Sequence, residues 1–290
     1  MTAGPSSPAH VRVGEYDCYS LPDGFFRLDG GAMFGVAPKA LWGRFYEADA
    51  DNRIRLACRA LLVAGKGIAL LVEGGAGDVF DDNEKLMRSY AIESTNRLDS
   101  ALGAIGYAPG DVTHAVFSHL HWDHAGTACR RERDGRFVPR FPKARYIVQR
   151  GEWDAALSKD PLTAPSYVPE ALVPVRESGQ LECIDGDGRI NDDIRLVVTG
   201  GHTENHMALM LESGGERLVF WGDIIPTSHH IHLPLIMAYD RFPVDTYRVK
   251  ERLLADACRE NAVSAFPHDC AVGFGRISFD GKRYRLAEGL

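Results

Sequence analysis

The chain has 290 residues, 45% hydrophobic and 25% charged. That composition excludes wholesale disorder, a collagen-like repeat and a disulfide miniprotein. Its 33 basic against 40 acidic residues give a formal charge of −7, which disfavours nucleic acid as a partner. No apolar run reaches the ~20 residues of a membrane helix, so no membrane insertion is expected.

Residues 1–10 read as a loose tail with neither a charged nor an apolar signal segment. Val11 to Leu28 reads as strands joined by a turn at Pro22-Asp23-Gly24. Gly30-Gly31-Ala32-Met33-Phe34-Gly35 is a glycine-rich loop, either a tight turn with core anchors or one wall of a pocket. The apolar runs 58–64 and 67–72 flank Gly65-Lys66-Gly67 and form a hairpin of buried strands. Residues 93–105 have a helical pattern, with Ile92, Leu98, Leu102 and Ile105 on one face. A strand from Val112 to Phe117 runs into His119. The basic stretch Arg130, Arg131, Arg133, Arg136, Arg140, Lys143 and Arg145 is interrupted by Glu132 and Asp134, as in a solvated connection. A strand follows at 145–149. Pro161, Pro165, Pro169 and Pro174 bar continuous helix or central strand from 158–180, which reads as a lid or rim over a site. Strands are expected at 194–198, 207–211 and 218–221. An amphipathic helix over 245–259 turns Val249, Leu253, Leu254 and Ala257 inward, and a strand at 263–266 leads to His268. Strands and helices alternate in both halves without a sequence repeat, which points to stacked α/β layers.

Cys18, Cys58, Cys129, Cys183, Cys258 and Cys270 are scattered and form no CxxC pair. Reduced thiols in a cytoplasmic protein are therefore expected.

Five histidines and two aspartates form an ordered set. Ser118-His119-Leu120-His121-Trp122-Asp123-His124-Ala125-Gly126 follows an apolar strand directly. On an extended segment His119 and His121 point to one side, and a turn beyond Trp122 brings Asp123 and His124 beside them. Gly201-His202, Gly222-Asp223 and Pro267-His268 each follow a further strand. A lone histidine reads as a core or surface group; an ordered set at four strand exits reads as a metal site. His119, His121 and His202 suit one ion, Asp123, His124 and His268 a second, and Asp223 can bridge both. A water shared by the two ions would be acidified towards hydroxide.

These motifs resemble the ligand signature of the metallo-β-lactamase superfamily. The resemblance implies an αββα four-layer sandwich with a dinuclear site at one edge of its sheets. The chain then reads as one domain, 1–290, with an N-terminal extension over about 1–50. Within the family, Asp29-Gly-Gly-Ala-Met-Phe-Gly35, the His119–Gly126 block and Gly222-Asp-Ile-Ile-Pro-Thr-Ser-His229 leading to Tyr239-Asp240 resemble the acyl-homoserine lactonases and methyl-parathion-hydrolase-like esterases. The resemblance implies a metal-dependent hydrolase opening a lactone or ester, most plausibly a quorum-quenching lactonase, with an aryl esterase or phosphotriesterase as the alternative. A thiolester hydrolase, a mononuclear-iron sulfur dioxygenase and a nuclease are more remote. It also implies a homodimer.

In this reading Asp123 and Asp223 are catalytic: Asp223 bridges and Asp123 passes a proton to the leaving group. The ions are two divalent metals, zinc first, with iron, cobalt or manganese as alternatives. Met33, Phe34 and the segment 158–180 are expected to form an apolar wall for a small-molecule lactone or ester. Two positions depart from the family pattern. Lactonases place a substrate-holding tyrosine three residues after the bridging aspartate; here that residue is Pro226, and His229, His230 and His232 follow, either facing substrate or belonging to a surface loop. The strand end that usually carries a supporting aspartate carries Glu73, which accepts the same hydrogen bonds with a longer reach. Cys270 is read as a neighbour of the site, not a ligand.

Overall fold

The computed structural model describes residues 8–93 and 97–290. The tail expected at 1–10 lies outside them except for its end, which is already a strand. The first sheet takes β1 (Ala9–Val13), β2 (Tyr16–Asp29), β3 (Arg53–Gly65), β4 (Ile68–Val72) and β5 (His114–Val116). A small hairpin of β6 (Cys129–Arg131) and β7 (Phe137–Pro139) precedes β8 (Arg145–Gln149) and β9 (Leu181–Ile184). Strand order in this sheet is β1-β2-β3-β4-β5-β8-β9. The second sheet runs in chain order through β10 (Gly188–Arg189), β11 (Ile194–Val198), β12 (Met207–Ser213), β13 (Glu216–Phe220), β14 (Val263–Ala265), β15 (Phe274–Phe279) and β16 (Tyr284–Gly289).

Side-chain alternation builds the layers. Leu61, Val63, Leu70, Val72 and Val116 of the first sheet meet Leu196, Leu209, Leu218, Phe220 and Val263 of the second in one core. Their neighbours Leu62, Leu71 and Ala115 face the other way, onto Leu98, Leu102 and Trp153. Beyond the second sheet, Val249, Leu253, Leu254 and Ala257 of the Pro243–Arg259 helix pack on Val219 and Trp221. Helix, sheet, sheet, helix is the expected αββα sandwich. Among the described residues no helix is long and apolar enough to cross a membrane.

The hairpin at Gly65-Lys66-Gly67 forms as expected: Gly65 pairs with Ile68, and Lys66 and Gly67 hold φ of 48° and 78°, the two left-handed positions of the tight hairpin turn. The expected turn at Pro22-Asp23-Gly24 is instead a bulge inside one long strand, β2, where the register with β3 shifts. The bulge turns Asp23 onto the next layer, where its carboxylate accepts the Leu98 N–H at 3.0 Å. The helix expected over 93–105 covers Leu98–Ala104; residues 94–96 lie outside the described residues. The glycine-rich run at 30–35 folds as a short helix, Gly30–Phe34, because Asp29 caps it by accepting from the Ala32 N–H at 2.8 Å. The basic stretch around β6 and β7 is largely ion-paired: Arg130 to Glu132, Arg131 to Asp82, Arg136 to Asp134 and Arg140 to Asp99.

Candidate functional site

β4 and β5 are parallel, as are β13 and β14. Their carboxyl ends open at the same edge of the sandwich, the general place for ligand sites in such sheets. Glu73 follows β4, the His119–His124 block follows β5, Asp223 follows β13 and His268 follows β14. His202 sits in the turn between β11 and β12. The block takes the expected course: His121 is extended, and Trp122–Ala125 turns as one helical loop. Leu120 points into the core while its flanking histidines point out of it. Trp122 anchors the loop against Phe26, Phe80 and Tyr90, with ring centroids 5.3, 5.1 and 4.6 Å away.

All seven residues of the expected ligand set converge. His121 Nδ1 lies 3.1 Å from His119 Nε2 and 3.2 Å from His202 Nε2. His124 Nε2 lies 3.0 Å from His268 Nε2, and Asp123 Oδ2 lies 3.8 and 3.5 Å from those two nitrogens. Asp223 stands between the sets. Its Oδ1 is 3.4 Å from His124 Nε2 and 3.2 Å from His268 Nε2, while its Oδ2 is 3.4 Å from His202 Nε2.

The donor set fits two cations. Imidazole nitrogens 2.0–2.1 Å from one tetrahedral zinc lie roughly 3.3 Å apart, close to the spacings found here. The outer ring nitrogens are already committed. His268 Nδ1 donates to the Ala57 carbonyl at 2.8 Å, His202 Nδ1 to Asp240 at 2.8 Å, and His124 Nδ1 to Glu73. Their Nε2 lone pairs therefore point inward at one another, and a proton or a metal must lie between them. Two buried carboxylates, Asp123 and Asp223, add negative charge that one proton leaves uncompensated.

The electrostatics agree. Burial, helped by the imidazoles of His124, His121 and His202, holds His119 well below its ordinary value. Burial and His202 do the same to His121. Burial alone would lower His124 too, but the carboxylates of Glu73, Asp223 and Asp123 drive it well above. Burial would raise Asp223, yet His124, His268 and His202 hold it well below the carboxylate range.

Several supports escape a reading of sequence. Glu73 holds φ at 65° and is buried; one oxygen accepts the Ser118 N–H at 2.7 Å and the other faces His124. Its position was expected, but its strained backbone was not. Buried His206 accepts the Asp223 N–H at 3.0 Å. Gly222, at φ 52°, lies so close that a Cβ there would stand 2.4 Å from His206 Nε2. Buried Glu152 ties three segments together, accepting from Leu120 N–H, Tyr167 Oη and Thr203 Oγ1 at 3.2, 2.9 and 2.7 Å. Besides Glu73, only Asp240 had a signal, in the Tyr239-Asp240 pair.

A cavity of about 530 Å³ opens over the centre. His121, Asp123, His202, Asp223 and His268 form its floor, with Met33, Tyr90, Trp122 and Tyr239 among its walls. Leu162, Thr163 and Ser166 give it the expected rim from segment 158–180. The expected wall residue Phe34 and the candidate substrate residues His229 and His232 lie elsewhere. Phe34 is buried, stacked on His230 at 4.6 Å between ring centroids and on Trp42 at 6.0 Å. His229 stacks on Phe45 at 4.4 Å. His232 lines a different cavity. Aromatic packing of the N-terminal extension on the 227–235 loop has claimed Phe34 and His229. Cys270 Sγ turns away, donating to the Arg55 carbonyl at 3.4 Å.

A solved probable metal-dependent hydrolase from Staphylococcus aureus superposes with a TM-score of 0.87 at 27% identity, covering 97% of this chain and 100% of that one. A structure described as AidC, a dizinc quorum-quenching lactonase, shares the fold at a TM-score of 0.78 and 19% identity over 98% of both chains. An N-acyl homoserine lactonase from Bacillus sp is 29% identical over 152 residues, 50% of this chain. That match spans about half of the curated relative's length, 54%. The Metallo-beta-lactamase superfamily model matches residues 53–268, about three quarters of the chain. That stretch holds every converging ligand side chain, from the β3–β4 hairpin to His268, and by it the chain belongs to the metallo-beta-lactamase superfamily.

Proposed function

We propose that this protein is a dinuclear metal-dependent hydrolase that opens a lactone, with acyl-homoserine lactones as its first substrate class. The observation that carries the reading is the Asp223 carboxylate, whose two oxygens face separate imidazole sets. His119, His121 and His202 would hold one ion and Asp123, His124 and His268 the other, with Asp223 available to both. Two divalent ions bound there supply Lewis acidity and acidify water at neutral pH. The chain's own groups do the rest. Outer hydrogen bonds, donated by the ring Nδ1–H groups to Glu73, Asp240 and the Ala57 carbonyl, fix the rings. Asp123, beside His268 at the cavity floor, carries a proton to the departing alkoxide. Met33 and Leu162 offer apolar surface to an acyl chain, and the rim excludes water.

The curated lactonase relatives support the lactone class. The aromatic walls, Tyr90, Trp122 and Tyr239, favour a second reading, an aryl ester or phosphotriester. Zinc is the metal we propose, since imidazole and carboxylate donors suit it, with iron, cobalt or manganese as alternatives. Six unpaired cysteines support a cytoplasmic setting. We read the chain as one catalytic domain because β2 of the N-terminal extension pairs along the length of β3, and we propose a homodimer.

Proton release by zinc-reconstituted protein on acyl-homoserine lactones of several chain lengths, with aryl esters and a phosphotriester beside them, tests the reading. Turnover of lactones that vanishes in His121→Ala supports it. A protein holding two metals that turns over only the aryl substrates transfers the assignment to the second reading.

A further inference from the structure

A second cavity, of about 560 Å³, shares no lining residue with the one over the metal centre. Its size lies within the roughly 300–1,000 Å³ of small-molecule sites. Both cavities draw on one segment: His232 to Leu235 line the second, Met237 to Arg241 the first. Its walls are apolar, with Leu41, Phe45, Leu235 and Tyr247 among them. Leu41 and Phe45 keep 48% and 38% of their surface exposed, although they stand in a concave place where burial is within reach.

The charge lining this cavity has one sign. Arg44, Lys282 and Arg283 line it, and no aspartate or glutamate does. None of the three side chains has an ion-pair or hydrogen-bond partner among the described residues. Many other arginines of the chain are ion-paired, as Arg53 is with Asp49, Arg131 with Asp82 and Arg217 with Glu260. Three unpaired cations lining one cavity of an acidic protein give it a positive field that favours an anion. The field reaches His232, whose imidazole is lowered by burial and then by Arg283. The wall behind is firm: Lys250 Nζ, buried in the Pro243–Arg259 helix, donates to the carbonyls of His232 and Leu235 at 3.0 and 2.8 Å.

We propose that this groove is a second ligand site, for an amphipathic carboxylate whose head is held by Arg44, Lys282 and Arg283 and whose acyl tail lies on Leu41, Phe45 and Tyr247. Inorganic phosphate satisfies the cations but leaves the apolar walls wet. A neutral alcohol covers the walls but leaves the cations unpaired. Only a molecule with both parts answers both features. The site goes beyond the hydrolase reading and does not depend on it.

Octanoate is the probe, titrated calorimetrically into the metal-loaded full chain, with octanol and inorganic phosphate as controls. Octanoate is expected to fill one site that persists after chelation of the metals. Octanol and phosphate should each bind at least tenfold more weakly. Arg44→Glu and Arg283→Glu should each weaken octanoate at least tenfold with unchanged circular dichroism, and Lys282→Glu, on an exposed loop, serves if either misfolds. Failure to bind octanoate overturns the proposal. So does binding that survives the charge reversals, or binding that disappears with the metals and therefore belongs to the metal centre. Octanol binding as tightly as octanoate overturns it as well. Sedimentation gives the last outcome: if octanoate binds only when the protein is diluted to monomer, a second copy of the chain covers the groove and the proposal is wrong.

Discussion

Glu73→Gln changes one atom in a buried residue and gives the sharpest test of how the metal loop is held. The carboxylate accepts from two donors, the Ser118 N–H and His124 Nδ1–H. A glutamine can accept from one and must turn its own NH2 on the other. The substitution therefore weakens a charge-assisted bond and leaves one buried donor unpaired, a loss of about 3 kcal/mol. For 290 residues, an unfolding entropy of roughly 2.1 cal/mol/K per residue sums to about 0.6 kcal/mol/K. The melting temperature should then fall by about 5 °C. His124 also loses the partner that orients its ring, so metal affinity should drop by roughly 10- to 100-fold. Calorimetry of the chelated protein reads the first effect, and competition with a chelating dye reads the second. Glu73→Asp keeps the charge, and aspartate tolerates the positive φ of 65° better than most residues. It should recover part of both losses despite its shorter reach. A glutamine variant melting within about 1 °C of the parent, with metal affinity unchanged, refutes the argument.

Asp223→Ala removes a carboxylate that faces both imidazole sets. Metal analysis should find fewer than two ions, with kcat/KM down by about 10³-fold or more, ~4 kcal/mol; two retained ions with full turnover refute the bridging role. Phe34→Ala should cost about 3–5 kcal/mol of stability and leave KM unchanged, since Phe34 packs on His230 and Trp42. Met33→Ala, on the cavity wall, should raise KM, and the reverse pattern in denaturant melts and kinetics refutes both placements. His230 is pressed down to about 3 by burial and then by Lys250, against roughly 6.5 in an unfolded chain. As pH falls the unfolded chain takes the proton first, so the stability of the buried neutral ring is complete above about pH 6.5 and is lost between 6.5 and 3. His230→Gln should flatten that limb in denaturant melts of chelated protein, and parallel pH profiles refute it.

The convergence of the candidate ligands was legible because four of them are local. His119, His121, Asp123 and His124 lie within six residues, and each remaining ligand follows a strand that its apolar pattern announces. Their supports are not local. The Asp240 carboxylate that orients His202 is 38 residues away, and the Ala57 carbonyl that orients His268 is 211 away. A backbone carbonyl has no sequence signal, and His206 looks like any other histidine until the fold lays it under Asp223. The same limit explains Pro22-Asp23-Gly24. Its composition favours a turn, but pairing with β3 on both sides keeps the strand going, so the extra length emerges as a bulge. The histidines at 229, 230 and 232 show the opposite error. Chemistry-bearing residues near a site invite a functional reading, while Phe34, Phe45 and Met33 had already claimed two of them: His230 stacks on Phe34 and bonds the Met33 carbonyl at 2.8 Å, and His229 stacks on Phe45.

The two departures from the family pattern act at different ends of the cavity. Glu73 keeps the support of the His119–His124 block: from a backbone at positive φ it reaches both the Ser118 N–H and His124. Pro226 changes the substrate end. It brings no hydroxyl to the cavity, and its carbonyl serves the metal side instead, accepting the His268 N–H at 2.9 Å. The next residues are drawn outward, since Asp269 accepts from both Ser228 N–H and Oγ and buried Thr227 bonds His230. The substrate side of the cavity is thereby left to Tyr90, Trp122, Met237 and Tyr239, which come from other segments. The ligands are fixed by strand ends and by bonds that reach across both sheets. The substrate walls hang on connections that can change without moving them. The proposed metal centre therefore bears on which bond chemistry is tested, and the walls on what substrate, which is why acyl and aryl substrates must be tried side by side.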